Sequence, residues 1–424
     1  MNRKLIPAAL AALLAAAPAA AQTIAIVGGD VYPASGAPIR GGTVVIQNGR
    51  IAAVGAGVPV PSGARVIDAR GKWVTPGLFE SGTSMALTEV GAVGETNDFR
   101  LQDEDQVAAA FNVADGLNPR SMVIPVTRIA GVTTVISRPA GGLISGQAVA
   151  LDLDGLTMDD MLIRNPVAMF GSMSDNARNA GHGARGGITM RLREVLEDAR
   201  AYARNAQAYE RGETRDFSAS RLDLAALQPV LAGRLPLVLE VHRASDIEAA
   251  LRVAREYNLK LIIAGGTEAW MVAGELASAR VPVLVKVLNN LPESFQALGA
   301  TYENAARLRR AGVQVAITTG ETFKAYNIRQ EAGNAVAYGL PWEEAFRAVT
   351  LYPAQIFGLD GQYGSLEAGK VADVVVWSGD PLEMLTRVEH VFIRGREIPL
   401  VSRETQLRDR YMHLDENERS YRRP

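Results

Sequence analysis

Thr75-Pro76-Gly77-Leu78-Phe79-Glu80-Ser81-Gly82-Thr83-Ser84 is the stretch on which the reading of this chain turns. In an extended strand every second side chain shares a face, so Glu80, Gly82 and Ser84 point the same way. Upstream lie short apolar runs broken by turn residues. Thr23-Ile24-Ala25-Ile26-Val27 leads into Gly28-Gly29-Asp30, and Gly42-Thr43-Val44-Val45-Ile46 into Gln47-Asn48-Gly49-Arg50. Two more runs follow, Ile51 to Gly55 and Arg65 to Ala69. Alternation punctuated by Asn-Gly and Gly-Gly predicts strands in hairpins, hence a small antiparallel β-domain. Val371 to Trp377 and Val388 to Ile393, with the Arg394-Gly395-Arg396 turn, have the same texture. Both chain ends are therefore expected to build one composite domain.

Between the ends, apolar strands alternate with helical stretches. Val132 to Ile136, Pro236 to His242, Leu259 to Gly265, Pro282 to Val285 and Val313 to Thr318 read as buried strands, and residues 244–257 have helical periodicity. This alternation predicts parallel βα units, and its length favours a (β/α)8 barrel over an open sheet. The expected α/β fold is a TIM-like barrel over 77–355 plus a composite β-sandwich domain from 22–76 and 356–400. The charged tail, 401–424, is either a helix packed on the barrel or a solvated end.

Further stretches carry a family likeness. Val66-Ile67-Asp68-Ala69 with Gly71-Lys72 precedes Pro76-Gly77-Leu78, and Ala348-Val349-Thr350 leads to Pro353-Ala354 and Gly358-Leu359. Gly364-Ser365-Leu366-Glu367-Ala368-Gly369-Lys370-Val371-Ala372-Asp373 follows, with Gly379-Asp380-Pro381 after it. With the opening stretch, these resemble the amidohydrolase superfamily, specifically its imidazolonepropionase-like branch. Gly364 to Lys370 also has the spacing of a phosphate-binding loop, but Val371 stands where Ser or Thr belongs and a strand follows.

The resemblance implies a metal at the C-terminal mouth of the barrel, activating a water for attack on a carbonyl. Its usual ligands are two histidines on strand one, often a carboxylated lysine on strand three or four, histidines on strands five and six, and an aspartate on strand eight. Carried onto this chain, the strand-one positions are Gly82 and Ser84, strand six offers Gly265, and strand eight offers Gly320. No Lys occurs between Lys72 and Lys260, so the carboxylated lysine is impossible. Only His242 matches. No metal or other cofactor is expected, save a divalent ion in an unconventional site.

Candidate site residues follow from what remains. Glu240 lies two residues before His242, so the two share a face and form either an acid–base couple or a hydrogen-bonded remnant. Glu80, Ser84 and Glu321 are candidates for ligand binding. Arg185, in the Gly-rich stretch from Asn176 to Gly187, is a candidate for holding an anion. That stretch reads as a loop over the mouth or as a plain surface loop. The function expected is an exported amidohydrolase-fold protein, non-catalytic, binding a small molecule in the barrel mouth. It would act alone, as a homo-oligomer or with an active relative. The alternative is a hydrolase of amide or cyclic-amide C–N bonds with a rebuilt centre.

The chain starts Met1-Asn2-Arg3-Lys4 and runs through an Ala/Leu-rich stretch to Ala19-Ala20-Ala21-Gln22. These are the parts of a secretory signal peptide, residues 1–21, with cleavage after Ala21 and a periplasmic destination. No membrane anchor is expected after cleavage. There is no cysteine, and the formal net charge of −2 becomes −4 when Arg3 and Lys4 leave. That near-neutral balance speaks against nucleic acid as a partner.

Overall fold

The computed structural model describes residues 23–101, 106–213, 215–289 and 291–412. The expected signal segment lies outside the described residues, as does the tail beyond Met412. Among the described residues, no helix is long and apolar enough to cross a membrane.

Five strands open the chain: β1 (Ile24–Val31), β2 (Ile39–Gln47), β3 (Arg50–Gly55), β4 (Arg65–Asp68) and β5 (Trp73–Pro76). Eight follow in the middle: β6 (Leu78–Thr83), β7 (Val132–Ser137), β8 (Ile144–Asp152), β9 (Leu162–Ser172), β10 (Leu237–Val241), β11 (Leu261–Gly265), β12 (Val283–Val285) and β13 (Val315–Ile317). Three close it: β14 (Val374–Trp377), β15 (Val388–Ile393) and β16 (Arg396–Ile398).

The opening and closing strands form one sheet in the order β16-β15-β14-β5-β1-β2-β3, with β4 also on β1. Its two halves are stitched by β5 and β14, which run antiparallel with Trp73 opposite Trp377 and Pro76 opposite Val374. The Trp377 indole N–H donates to Thr75 Oγ1 at 2.8 Å in the buried seam. Alternation sorts the closing strands between two cores. Val374, Val376 and Phe392 join Ile24, Ile26, Val44 and Ile46 inside this domain. Val375, Trp377, Val391 and Ile393 face the barrel instead.

The middle strands follow one another from β6 to β13 as a nearly closed barrel sheet. Outward residues such as Leu237, Leu239, Ile263 and Val315 pack on the helices. Inward residues Phe79, Ile136, Phe170, Val238, Ile262, Leu284 and Ala316 fill the lumen. One strand departs from the all-parallel expectation: β8 runs antiparallel to both β7 and β9. Short connections replace helical crossovers there, the first through Gly141 and Gly142, both at positive φ. The last charged segment is a helix, Arg403–Met412, without a buried residue.

β13 and β6 are joined across the closure by a side chain. The Glu80 carboxylate accepts from Thr319 N at 2.9 Å, Thr319 Oγ1 at 2.8 Å and Gly82 N at 3.0 Å, and also from Thr318 Oγ1.

Candidate functional site

Along five barrel strands, the residue two places beyond the apolar lumen layer is polar. Ile136 is followed by Arg138, Phe170 by Ser172, Val238 by Glu240, Leu284 by Lys286, and Ala316 by Thr318. Alternate residues of a strand share a face, so this spacing sets a polar ring on an apolar floor. The five polar residues, with Phe170, Leu284, Gly82, Asn176, His242, Gly265 and Gly320, line a cavity of about 210 Å³. It opens where the parallel strands end, the mouth at which barrels of this type carry their sites.

Glu240 and His242 stand together on one wall. The His242 Nε2 is 3.5 Å from Glu240 Oε1, and Nδ1 lies 2.8 Å from Thr267 Oγ1. Glu240 Oε1 also accepts from Ser174 Oγ at 3.2 Å and Asn176 Nδ2 at 2.9 Å. Burial pushes this carboxyl up, but the hydrogen bond from His242, the charge of Arg138 and the Ser174 hydroxyl outweigh it and hold it below its ordinary value. Glu240 is thus an ionised carboxylate at neutral pH.

Arg138 lines the same cavity. Its guanidinium lies 5.7 Å from the Phe170 ring centroid, within cation–π range, and donates to the carbonyls of Gly82 at 3.4 Å and Pro139 at 3.3 Å. Lys286 is paired with Glu321 at 2.9 Å, so its charge is already answered. A second hollow, about 270 Å³, adjoins the cavity and shares Arg138, Ala140 and Gly320 with it.

The sequence-predicted residues distribute unevenly. Glu240 and His242 are brought together in the cavity. Ser84 lines the adjoining hollow, where its hydroxyl is 2.6 Å from Thr322 Oγ1, and Glu321 faces the same hollow. Glu80 is sealed in the β6–β13 seam, away from any ligand, since a fully buried carboxylate with four donors has no face left to offer. Arg185 is not free to bind an anion: it bridges Asp246 Oδ2 at 2.8 Å and Asp175 Oδ1 at 2.7 Å. That bridge fixes the turn carrying Asn176, which in turn reaches Glu240.

The sequence profile of the Amidohydrolase family matches residues 234–398. An amidohydrolase structure from Thermotoga maritima MSB8 superposes with a TM-score of 0.81 at 28% identity, covering 89% of this chain and 99% of that one. The imidazolonepropionase of Maricaulis maris is 26% identical over 83% of this chain and 90% of its own length. The chain belongs to the amidohydrolase superfamily, in its imidazolonepropionase-like branch. The amidohydrolase tasK of Hapsidospora irregularis is 24% identical over 84% of this chain, which spans only 39% of that protein.

Members of this superfamily usually hold a metal, and the residues present here do not fit one. His242 with the Glu240 carboxylate beside it makes two donors, where a catalytic metal takes about three. A Cβ on Gly265 would fall 2.5 Å from His242 Cε1, at a backbone φ of +82°, so the His242 ring occupies the space a second ligand would need. A Cβ on Gly82 would meet Thr318 Oγ1 at 3.2 Å and Arg138 Nε at 3.7 Å. The fixed positive charge of Arg138 thus stands beside a ligand position, where it opposes a cation. Among the described residues, no group of three His, Cys, Asp or Glu side chains is placed to hold a metal ion.

Arg138 and Lys286 were not singled out by the sequence reading. The signal was there: each is the first charged residue past the C-terminal end of a recognised strand, two places after a lumen residue. Thr267, which orients the His242 ring, had no such signal.

Proposed function

We propose that this is an exported amidohydrolase-fold protein that does not catalyse metal-dependent hydrolysis and instead binds a small molecule in the barrel mouth, alone or beside an active relative. The observation that carries this reading is the guanidinium of Arg138 beside Gly82, with the His242 ring filling the place of a residue-265 side chain. A cation built into the chain takes the region where the superfamily keeps a metal. The cavity itself remains, with an apolar floor and convergent polar groups, the usual make-up of a small-ligand site.

The test is metal analysis by plasma mass spectrometry of the mature protein purified without chelator, alongside assays on amide and cyclic-amide substrates. Less than a tenth of a metal per chain and no turnover are expected. About one zinc, manganese or iron per chain, or hydrolysis at ordinary enzymatic rates, would overturn the reading. Sequencing the amino terminus of the exported protein should return Gln22 first.

One geometry favours a second reading, hydrolysis by a rebuilt centre. The Thr267–His242–Glu240 chain orients an imidazole at the cavity wall, as a general base requires. His242→Ala would then abolish turnover without unfolding the protein, and activity that survived the change would exclude it.

A further inference from the structure

Two charged groups of the mouth face the cavity without a full set of partners. Among the described residues Arg138 forms no ion pair, and its guanidinium hydrogen-bonds only two carbonyls, at 3.3 and 3.4 Å, long for a guanidinium. Glu240 receives Ser174, Asn176 and His242 all on Oε1, and no described residue donates to Oε2. Its side chain is 28% exposed. Lys286 does not compete for an anion, because Glu321 holds it.

The cavity lining therefore carries one cation and one anion that form no ion pair with each other, with Phe170 and Leu284 also in the lining. Resting on the binding reading above, we propose that the mouth binds a small zwitterion, a free amino acid or a molecule of similar size. Its carboxylate pairs with the Arg138 fork and its ammonium with Glu240 Oε2. A ligand carrying only an anion would leave Glu240 facing it across a desolvated space, and one carrying only a cation would meet Arg138. A zwitterion answers both charges, and burying a charge is tolerable only when it is paired. The volume, about 210 Å³, is below that of drug-sized sites and suits a ligand of few heavy atoms. The Phe170 and Leu284 side chains would cover its apolar part.

Calorimetry on the mature full-length protein tests this with four probes: L-leucine, γ-aminobutyrate, isocaproate (no ammonium) and isoamylamine (no carboxylate). At least one zwitterion should bind, and the two single-charge probes should bind about 10- to 100-fold more weakly. Arg138→Met and Glu240→Gln should each weaken the zwitterion by the same factor. Glu240→Gln keeps the acceptor for Ser174 and Asn176, so its unliganded melting temperature serves as the folding control. Silence of both zwitterions, or binding that survives both substitutions, would overturn the assignment, as would isocaproate binding as tightly as leucine. Zwitterion binding together with cyclic-amide hydrolysis would end the non-catalytic reading alone and leave this assignment standing.

Discussion

Glu80 and Glu240 are two carboxylates of one barrel, both near the strand ends, with opposite fates. Glu80 is wholly buried, satisfied on both oxygens by Gly82 of β6 and by Thr318 and Thr319 just past β13, and raised above its ordinary pKa by burial despite those donors. Glu240 loads its donors on one oxygen, keeps the other open, and is held below its ordinary value. The first closes the barrel and the second faces its contents. Chemical type does not separate them. What separates them is whether the neighbouring strand has a backbone partner to offer, since β13 and β6 lack a continuous ladder and the carboxylate substitutes for it.

Glu80→Ala gives the sharpest break of this comparison. It strands the Thr319 and Gly82 N–H groups and two threonine hydroxyls in the interior, and should destabilise the protein by about 3–5 kcal/mol in urea unfolding. Glu240→Ala should cost under about 1.5 kcal/mol, because Asn176 is exposed to solvent and the buried Ser174 hydroxyl keeps Ser172 Oγ as a partner at 2.7 Å. Equal losses would erase the distinction between seam and mouth.

Gly265→His, which returns the family's residue, is next. The new Cβ collides with the His242 ring, and the backbone stays at φ +82°. Overpacking and backbone strain together should cost about 2–4 kcal/mol. Plasma mass spectrometry should still find no stoichiometric metal. A variant that folded as stably as its parent and took up zinc would show that the His242 ring yields easily.

Glu331 sharpens the comparison from a third side. It is buried, accepts from Leu288 N at 2.8 Å, and burial pushes it up to about 7, with the charge of Glu80 adding to the rise. Its folded pKa lies above the unfolded value near 4.3, so the native state holds the proton more tightly. Stability from this group is complete below about pH 4 and falls as pH rises towards 7. Glu331→Gln should therefore gain on the order of 2 kcal/mol at pH 8 and little at pH 4. Urea titrations at both pH values check it. Glu80 is raised in the same direction, so the variant should reduce the pH slope without flattening it.

The fold was legible because its signals are local. Asn48-Gly49 announced the β2–β3 hairpin, and the Gly364 to Asp373 run carried the family likeness, whereas Gly28-Gly29, expected as a turn, is a bulge inside β1. The emptied positions Gly82, Gly265 and Gly320 were equally plain, since a missing side chain needs no partner to be recognised. The antiparallel β8 departs from the strand–helix alternation of its neighbours, and only the Gly141-Gly142 turn before it marks the reversal in the sequence. The role of Glu80 was out of reach. Its partners Thr318 and Thr319 are 238 and 239 residues away, and only closure of the barrel brings them together. Arg138 and Lys286 lay within reach, by counting two residues past each lumen side chain.

The pairing of β5 with β14 has a consequence for how the chain is made. Trp73 and its partner Trp377 are separated by about seven-tenths of the chain, so the first five strands emerge early in synthesis and wait for the last three. Closing so long a loop costs more entropy than local pairing and delays the step that rewards it. The composite domain is the last part able to assemble, and a nascent chain that stops before β14 has β1 to β5 without their central partner. Folding of this protein is committed at its carboxyl end.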